Sequence, residues 1–360
     1  MRYPRVLFYT VNGLGLGHVT RLLAIARKLR GLLPDAEILF FTSSEAEDVV
    51  FREGFAAVKV PSKTLRARAS IRPTTYARLL HTVTLNVIAA FHPHVLVVDT
   101  FPAGAMQELL PVLRWDCRKV FIYRVQRPEV AQSTLMQSSL ALYDRIVVPH
   151  VSGEVSIPMP EQADAVWTGP ILIRDRTEAM TREAARELLG LPKSGHVLYI
   201  AFGGGGDPAM DAALERTVQA LHDCGTLLAV ARAPLHRGEI PRLEHVVPVV
   251  HYPMAEVLPA FDAAISAAGY NSAMELMHFG VPCALVPFPR QVDDQAERAR
   301  ALERAGAALC VEELGTDALQ EACRKLLDPD TAARMSETAQ AQVPRNGAER
   351  AAQAIADLLP

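Results

Sequence analysis

Residues 261–275 read FDAAISAAGYNSAME and pass from an apolar run, through a glycine turn, into a helical pattern. The run over Ala263 to Ser266 is typical of a buried strand, so the stretch predicts a strand–turn–helix unit. Asn271 and Ser272 are expected to cap the helix and to present backbone amides to a phosphate. Glu275 follows one turn later, where its carboxylate could accept hydrogen bonds from a ribose diol.

The same alternation of strand and helix extends from this stretch over most of the chain. Apolar runs separated by helical patterns lie at 6–9, 37–41, 94–98, 119–123, 145–148, 196–202, 225–231, 245–250, 263–266 and 283–286. Continuous apolar strands separated by helices indicate parallel sheets that are covered on both faces. The sequence therefore predicts an α/β fold.

One segment in the middle of the chain interrupts the alternation. Residues 156–176 contain Pro158, Pro160, Gly169 and Pro170 with little periodicity, which is typical of a linker. Two Rossmann-like βαβ domains are therefore predicted, at 1–155 and 177–345. Residues 346–360 form a predicted C-terminal helix that could pack back on the N-terminal domain.

Composition excludes several classes of protein. The chain has 360 residues, a formal net charge of −3 and five cysteines. The charge argues against nucleic acid as a partner, and the scattered cysteines, without any CxxC, argue against a disulfide framework or a zinc ribbon. A reducing cytoplasm is the expected location. We find no apolar stretch long enough to span a membrane and no signal peptide.

A glycine-rich turn follows the first predicted strand. It reads NGLGLGH over residues 12–18, and Gly15 and Gly17 leave room for a ligand at the start of a helix. Dinucleotide binding is disfavoured because the third glycine comes one residue early and no acidic residue ends the second strand. His18 is a candidate base, since the positive end of a helix favours a neutral imidazole, although it could merely cap the helix.

A second glycine-rich turn follows the first strand of the second domain. It reads FGGGGD over residues 202–207, and Gly203, Gly204 and Gly205 would cost conformational entropy unless a ligand approached the backbone closely. A helix starting near Pro208 again offers an anion site. A flexible turn is the alternative interpretation.

These motifs resemble those of known glycosyltransferases. Residues 267–275 resemble the HCGWNSxxE signature of UDP-glycosyltransferases, and Gly280-Val281-Pro282, Pro287 and Asp294-Gln295 resemble the GxP…P…DQ stretch that follows it. The turn at 15–18, with Arg21, resembles the GxGH turn of MurG-like transferases in glycosyltransferase family 28. The resemblance implies a GT-B fold, in which an acceptor-binding N-terminal domain and a nucleotide-sugar-binding C-terminal domain face each other across a cleft.

The resemblance also implies roles for individual residues. Glu275 would bind the donor ribose, Asp294 and Gln295 the donor sugar, and His18 would lie beside the reacting atoms. The donor diphosphate would be bound by Gly203, Gly204, Gly205, Gly269, Asn271 and Ser272. The nucleobase would lie near Val250, His251 and Met254, although Met254 could equally be a core residue. Ala267 stands where many relatives have a phosphate-contacting histidine, so amides, Ser272 or the 203–206 turn must stabilise the leaving group.

Two further features concern the acceptor. Asp99 ends a predicted strand and could be the base, orient His18, bind the acceptor hydroxyl or simply cap a helix. Residues 54–98 contain no acidic residue but several basic ones, among them Arg66, Arg68 and Arg72. With Gly15 and Gly17 these arginines are assigned to the acceptor side. They could form a basic loop that grips an anionic acceptor, rests on an acidic membrane surface, or is merely solvated.

The expected function is that of an inverting, metal-independent glycosyltransferase of the hexosyltransferase type. It would move a sugar from a nucleotide-diphosphate sugar, with UDP favoured, to a hydroxyl of a small-molecule or lipid-linked acceptor, and it would need no cofactor beyond this co-substrate. A nucleotide-sugar hydrolase or epimerase and a catalytically inactive nucleotide-sugar-binding subunit are the alternatives. The expected location is the cytoplasm, with contact at the inner face of the membrane and the oligomeric state left open.

Overall fold

The computed structural model describes residues 3–11, 15–46, 48–203, 207–232, 240–290 and 292–360. The chain divides into two compact units. The first unit consists of Met1–Ile173 with Gly347–Pro360, and the second unit of Arg174–Asn346.

The first unit is built on a seven-stranded sheet in the order β3-β2-β1-β4-β5-β6-β7, in which every pairing is parallel. Its strands are β1 (Arg5–Thr10), β2 (Glu37–Thr42), β3 (Ala56–Lys59), β4 (Val95–Asp99), β5 (Arg118–Ile122), β6 (Arg145–Val148) and β7 (Ala165–Trp167). β4, with the sequence VLVVD, is buried at every position, as expected for a central strand covered on both faces.

The helices of the first unit cover this sheet. They are α1 (Gly17–Leu32), α2 (Asp48–Arg52), α3 (Lys63–Arg68), α4 (Pro73–Phe91), α5 (Pro128–Ala131), α6 (Thr134–Leu140) and α13 (Ala348–Ala356), with a 3-10 turn at Val112–Arg114. α13 returns from the end of the chain and packs against α1. No helix in the described ranges is both long and apolar enough to cross a bilayer.

The second unit has a six-stranded parallel sheet in the order β10-β9-β8-β11-β12-β13. Its strands are β8 (Val197–Ala201), β9 (Leu227–Ala231), β10 (Val246–Val249), β11 (Ala263–Ala267), β12 (Cys283–Val286) and β13 (Leu309–Cys310). Its helices are α7 (Arg182–Leu188), α8 (Pro208–Leu221), α9 (Tyr270–Phe279), α10 (Gln295–Arg304), α11 (Thr316–Leu327) and α12 (Pro329–Gln342), with 3-10 turns at Arg176–Glu178, Met254–Glu256 and Leu258–Ala260. The two parallel sheets confirm the predicted α/β fold class.

Each sheet has one point at which the strand order reverses. In the first sheet the reversal lies between β1 and β4, and in the second it lies between β8 and β11. Open parallel sheets bind ligands outside the carboxyl ends of the strands at such points. A ligand-binding site is therefore expected among the residues that follow these four strands.

Two predictions about local structure are wrong. Residues 156–176, predicted as a linker, include β7, which pairs with β6 through residues such as Val147 and Val166. This edge strand has only three residues, and so short a segment shows no recognisable alternation of apolar and polar residues. The basic segment is not a loop, because Arg66 and Arg68 lie on α3 and Arg72 immediately precedes α4.

Candidate active site

His18 lies at the reversal point of the first sheet. Gly15 adopts a positive φ of 84°, and α1 begins at Gly17, so His18 is the second residue of the helix that follows β1. The Nδ1 atom of His18 lies 3.1 Å from Oδ2 of Asp99 and 2.9 Å from Oγ1 of Thr100. The His18 side chain is 19% exposed. With Nδ1 directed at the buried groups, Nε2 is the nitrogen through which the imidazole can exchange a proton with a ligand.

Asp99 ends β4 and is completely enclosed. Its side chain is 0% exposed, and Nη1 of Arg21 donates to both carboxylate oxygens at 3.1 and 2.8 Å. Burial by itself would raise the pKa of Asp99, but Arg21, His18 and Thr100 together hold that pKa below its ordinary value. Asp99 caps no helix in the described part of the chain. The carboxylate is therefore a charged, buried partner for His18.

Thr100 is a member of this cluster that the sequence analysis missed. Its hydroxyl donates to Oδ1 of Asp99 at 2.9 Å and also contacts His18, while Nε2 of Gln126 donates to its carbonyl at 3.1 Å. Thr100 adopts a positive φ of 70°, which is strained for a β-branched residue. Such strain is typical of functional sites, although the sequence alone carries no signal for it.

The reversal point of the second sheet brings two predicted phosphate-binding segments together. Gly203, with a positive φ of 76°, follows β8, and Gly269 follows β11. Gly204 and Gly205 lie outside the described residues. The predicted cap of α9 is wrong: Gly269 is the N-cap in extended conformation, and Asn271 and Ser272 lie inside the first turn. The backbone N–H of Ser272 is among those that a helix start leaves without an intrahelical acceptor.

Glu275 lies on α9 and is half-buried. Burial raises the pKa of Glu275 to about 7, and the guanidinium of Arg174 opposes this shift. Nε of Arg174 donates to Oε1 of Glu256 at 2.6 Å, and Nε2 of His251 lies 2.9 Å from Oε2 of the same carboxylate. The electrostatic interaction of Glu275 with Arg174, together with these two contacts, thus links the predicted ribose residue to the predicted nucleobase region. Arg174 and Glu256 were not predicted, because no spacing in the sequence connects them.

The predicted nucleobase residues follow β10. Val250 is 68% exposed, and His251 is half-buried next to the buried Pro253. Met254 begins a 3-10 turn and is half-buried, whereas Val257 is fully buried. This segment forms short 3-10 turns, and the alternative that Met254 is a core residue does not agree with its partial exposure. Its partial exposure keeps Met254 available to a ligand.

The predicted sugar-binding residues begin α10. Asp294 is the exposed N-cap and accepts from the backbone N–H of Glu297 at 3.0 Å, and Gln295 is buried. Oε1 of Gln295 accepts from the backbone N–H of Phe288 at 3.0 Å, so its NH₂ group is the end that can donate to a ligand. Neighbouring Asp293 is paired with Arg298 at 2.5 Å. Within the described ranges, no group of three or more His, Cys, Asp or Glu side chains could hold a metal ion.

The predicted acceptor-side arginines lie together on α3 and at the start of α4. Arg68 and Arg72 are exposed, and Nη1 of Arg66 donates to the carbonyl of Ile71 at 3.1 Å. Arg68 lies 3.7 Å from Glu45, so one acidic side chain partly offsets the positive charge of this surface.

Comparisons with known proteins agree with this architecture. Residues 209–355 match the glycosyltransferase family 28 C-terminal domain. A protein of Salinibacter ruber named UDP-N-acetylglucosamine--N-acetylmuramyl-(pentapeptide) pyrophosphoryl-undecaprenol N-acetylglucosamine transferase is 28% identical, over 98% of this chain and 96% of that protein. A transferase of the same name from Desulforudis audaxviator is 29% identical, over 95% of each chain.

A solved structure shares the fold at low sequence identity. The glycosyltransferase SnogD from Streptomyces nogalater superimposes with a TM-score of 0.67 and 17% identity, over 99% of this chain and 100% of that chain. The domain match, the full-length relatives and the two-sheet fold together identify the chain as a glycosyltransferase with a GT-B fold, and residues 209–355 resemble the corresponding domain of the MurG-like, family 28 enzymes.

Proposed function

We propose that this enzyme is an inverting transferase that moves N-acetylglucosamine from UDP to a hydroxyl of a lipid-linked acceptor. The observation that carries the proposal is the geometry of His18, whose Nδ1 atom lies 3.1 Å from the buried carboxylate of Asp99. An imidazole held in this way donates Nδ1–H to the carboxylate and offers Nε2 as a general base. The donor and acceptor classes are suggested by the names of the full-length relatives.

On the acceptor side, His18 acts as the base and Asp99 as its positioning residue. The acceptor oxygen attacks the anomeric carbon of the donor sugar while Nε2 of His18 takes the hydroxyl proton. Because Asp99 is fully buried, it has no access to an acceptor, and its charge instead stabilises the imidazolium that forms. A single displacement of this kind inverts the configuration at the anomeric carbon.

On the donor side, the second unit binds the nucleotide sugar. Glu275 accepts hydrogen bonds from the ribose hydroxyls, and the backbone near His251 contacts the base. The amides at the start of α9 face the diphosphate, where the positive end of the helix favours negative charge. Gln295 and Asp294 bind hydroxyls of the sugar.

The acceptor is proposed to be anionic and carried by a lipid. The relatives' names include a pyrophosphoryl-undecaprenol carrier, and the exposed Arg68 and Arg72 would favour such a group. Leu65 and Leu79, each 39% exposed, lie on the same two helices. We propose that this surface rests on an anionic membrane from the cytoplasmic side.

Calorimetric titration of UDP, TDP and GDP tests the proposed donor. We expect UDP to bind most tightly, and Glu275→Ala to weaken its binding by at least about tenfold, or roughly 1.4 kcal/mol. Glu337→Ala, on α12 of the same unit, is the control and should bind UDP like the wild type. If UDP bound no better than the other two nucleotides, the proposed donor would be wrong.

A further inference from the structure

The groups assigned to the donor diphosphate have one property in common: all are neutral. They are backbone amides and the side chains of Asn271 and Ser272, whereas the departing diphosphate gains negative charge as the sugar leaves. We propose that Arg290 contacts the β-phosphate of the donor and stabilises this charge. The proposal rests on the glycosyl transfer proposed above and adds a cationic catalytic residue to it.

The side chain of Arg290 extends over the carboxyl ends of the strands toward the predicted phosphate region. Arg290 lies in the segment after β12, and its Nη1 atom donates to Oδ2 of Asp207 at 2.7 Å. Asp207 follows the glycine turn after β8 and is the N-cap of α8. Because β11 lies between β8 and β12, this ion pair spans the carboxyl end of β11, where Gly269 starts α9.

Two further contacts place the same segments together. The rings of Phe202 and Phe288 pack edge to face with centroids 5.5 Å apart, which joins the end of β8 to the segment after β12. Nη2 of Arg290 also contacts the sulfur of Met210, and a Cβ on Gly203 would lie 3.1 Å from the terminal methyl of that methionine. The side chain of Met210 therefore lies between the Arg290 guanidinium and Gly203, the first glycine of the predicted diphosphate turn.

The charge of Arg290 is accessible to a ligand, unlike that of a neighbouring arginine. The Arg290 side chain is 34% exposed, whereas Arg298 is 11% exposed. Both terminal nitrogens of Arg298 bond to Asp293, and one of them also donates to the carbonyl of Ala268. A guanidinium carries five N–H donors in a planar fork, so Arg290 can bond Asp207 and a phosphate at once.

Asp207 acts here as the positioning residue for Arg290. The hydrogen bond from Arg290 holds the pKa of Asp207 below its ordinary value, so the pair stays ionised at neutral pH. In the reaction the bond between the acceptor oxygen and the anomeric carbon forms, and the acceptor proton passes to His18. The bond from that carbon to the β-phosphate oxygen breaks, and its electron pair stays on the oxygen. The guanidinium of Arg290 stabilises the negative charge that develops there.

The test compares the binding of UDP and UMP, because only UDP carries the β-phosphate. We expect Arg290→Gln to weaken UDP binding by about tenfold to a hundredfold and to change UMP binding by less than about twofold. Arg290→Lys should restore part of the UDP affinity. Arg304→Gln, an exposed arginine on α10, is the matched control, and retained UMP binding shows that the variant is folded.

A double variant separates a direct contact from an indirect one. If Arg290 only neutralises Asp207, then Asp207→Asn combined with Arg290→Gln should recover wild-type UDP affinity, and that result would overturn the proposal. We expect the double variant to stay weak for UDP. An unchanged preference for UDP over UMP in Arg290→Gln would also overturn the proposal while leaving the proposed function intact. If the wild type binds no UDP, both proposals fail.

Discussion

At the scale of single residues, the proposed chemistry depends on how the charges around His18 are balanced. Asp99 is negative and buried, and it is matched by Arg21, which is itself only 2% exposed. A buried carboxylate paired with arginine stays ionised and can hold one tautomer of an adjacent imidazole. In the proposed mechanism, the role of His18 therefore depends on buried residues that do not contact the substrate.

Replacing His18 tests this assignment. We expect His18→Ala to lower kcat by about 10²- to 10⁴-fold, the usual contribution of a general base, and to leave the Kd for UDP unchanged. Steady-state kinetics and calorimetry measure the two quantities. His222→Ala, on the second unit, serves as the control. A kcat that falls less than about threefold in His18→Ala would remove His18 from the mechanism.

The ionisation of Glu275 predicts a pH dependence of nucleotide binding. Burial raises its pKa to about 7, so the carboxylate takes up a proton as the pH falls through that value. A carboxylate accepts stronger hydrogen bonds from the hydroxyls of a ribose diol than a carboxylic acid does. The affinity for UDP should therefore decrease from pH 8 to pH 6.

Calorimetry over this range checks the expectation, with Glu275→Gln as the matched variant. The glutamine cannot titrate, so the part of the pH dependence that Glu275 causes should be absent from its weaker binding. If wild type and variant showed the same pH dependence, another group would be responsible.

Residues close to a glycine turn or a strand end, including Asp99 as a possible partner of His18, could be picked out from the sequence, whereas other partners could not. His18 and Glu275 follow recognisable turns. Thr100 gives no signal because its role depends on an unusual backbone angle, and the pair of Asp207 and Arg290 joins two segments separated by more than eighty positions. Contacts of this kind follow from the strand order, which a single sequence does not reveal.

At the scale of elements, the order of the strands determines where the candidate binding sites lie. Both candidate sites lie at the points where the strand order reverses, between β1 and β4 and between β8 and β11. The buried central strands were predictable from their apolar runs, whereas the long helix α4 lies in the segment interpreted as a basic loop and was not predicted. The short edge strand β7 and the start of α9 were not predicted either, because short elements depend on tertiary contacts more than on local pattern.

The docking of α13 provides a test at this scale. The backbone N–H of Gly347 donates to the carbonyl of Pro170 at 2.7 Å, and a Cβ there would meet the carbonyl oxygens of Thr168 and Gly169 at 2.6 Å. Gly347→Ala should therefore reduce the free energy of unfolding by about 1–3 kcal/mol. Gly315→Ala, which meets nothing within 4 Å, should have little effect in the same denaturant titration. Equal stability of both variants would contradict the tight contact at Gly347.

At the scale of the whole molecule, the proposed function assigns the acceptor to the first unit and the donor to the second. The first unit carries His18 and the basic helices, and the second carries the groups assigned to the nucleotide sugar. The two series of strands in the sequence predict this division, and the strongest motifs lie in the second. The proposal of a lipid-linked acceptor rests on the names of the relatives and on the surface of α3 and α4.

Binding to lipid vesicles tests that surface. Vesicles containing phosphatidylglycerol should bind the enzyme, and binding should weaken with added salt, because it is driven by positive charge. Replacing Arg66, Arg68 and Arg72 by glutamate should reduce vesicle binding by more than tenfold, at about 1 kcal/mol for each basic residue. The control carries the same change of charge at three exposed arginines of the second unit, Arg300, Arg304 and Arg324. If the control lost as much binding, the α3–α4 surface would not be the contact.

Turnover with a defined acceptor distinguishes the proposed glycosyl transfer from hydrolysis. UDP-N-acetylglucosamine would be incubated with a polyprenyl-pyrophosphate-linked sugar in detergent, and NMR would follow UDP release and the anomeric configuration of the product. We predict that UDP is released only when the acceptor is present, that the new linkage is inverted, and that His18→Ala forms product at least about 10²-fold more slowly. Release of UDP at the same rate without acceptor would show a hydrolase instead, and retention of configuration would contradict the single displacement.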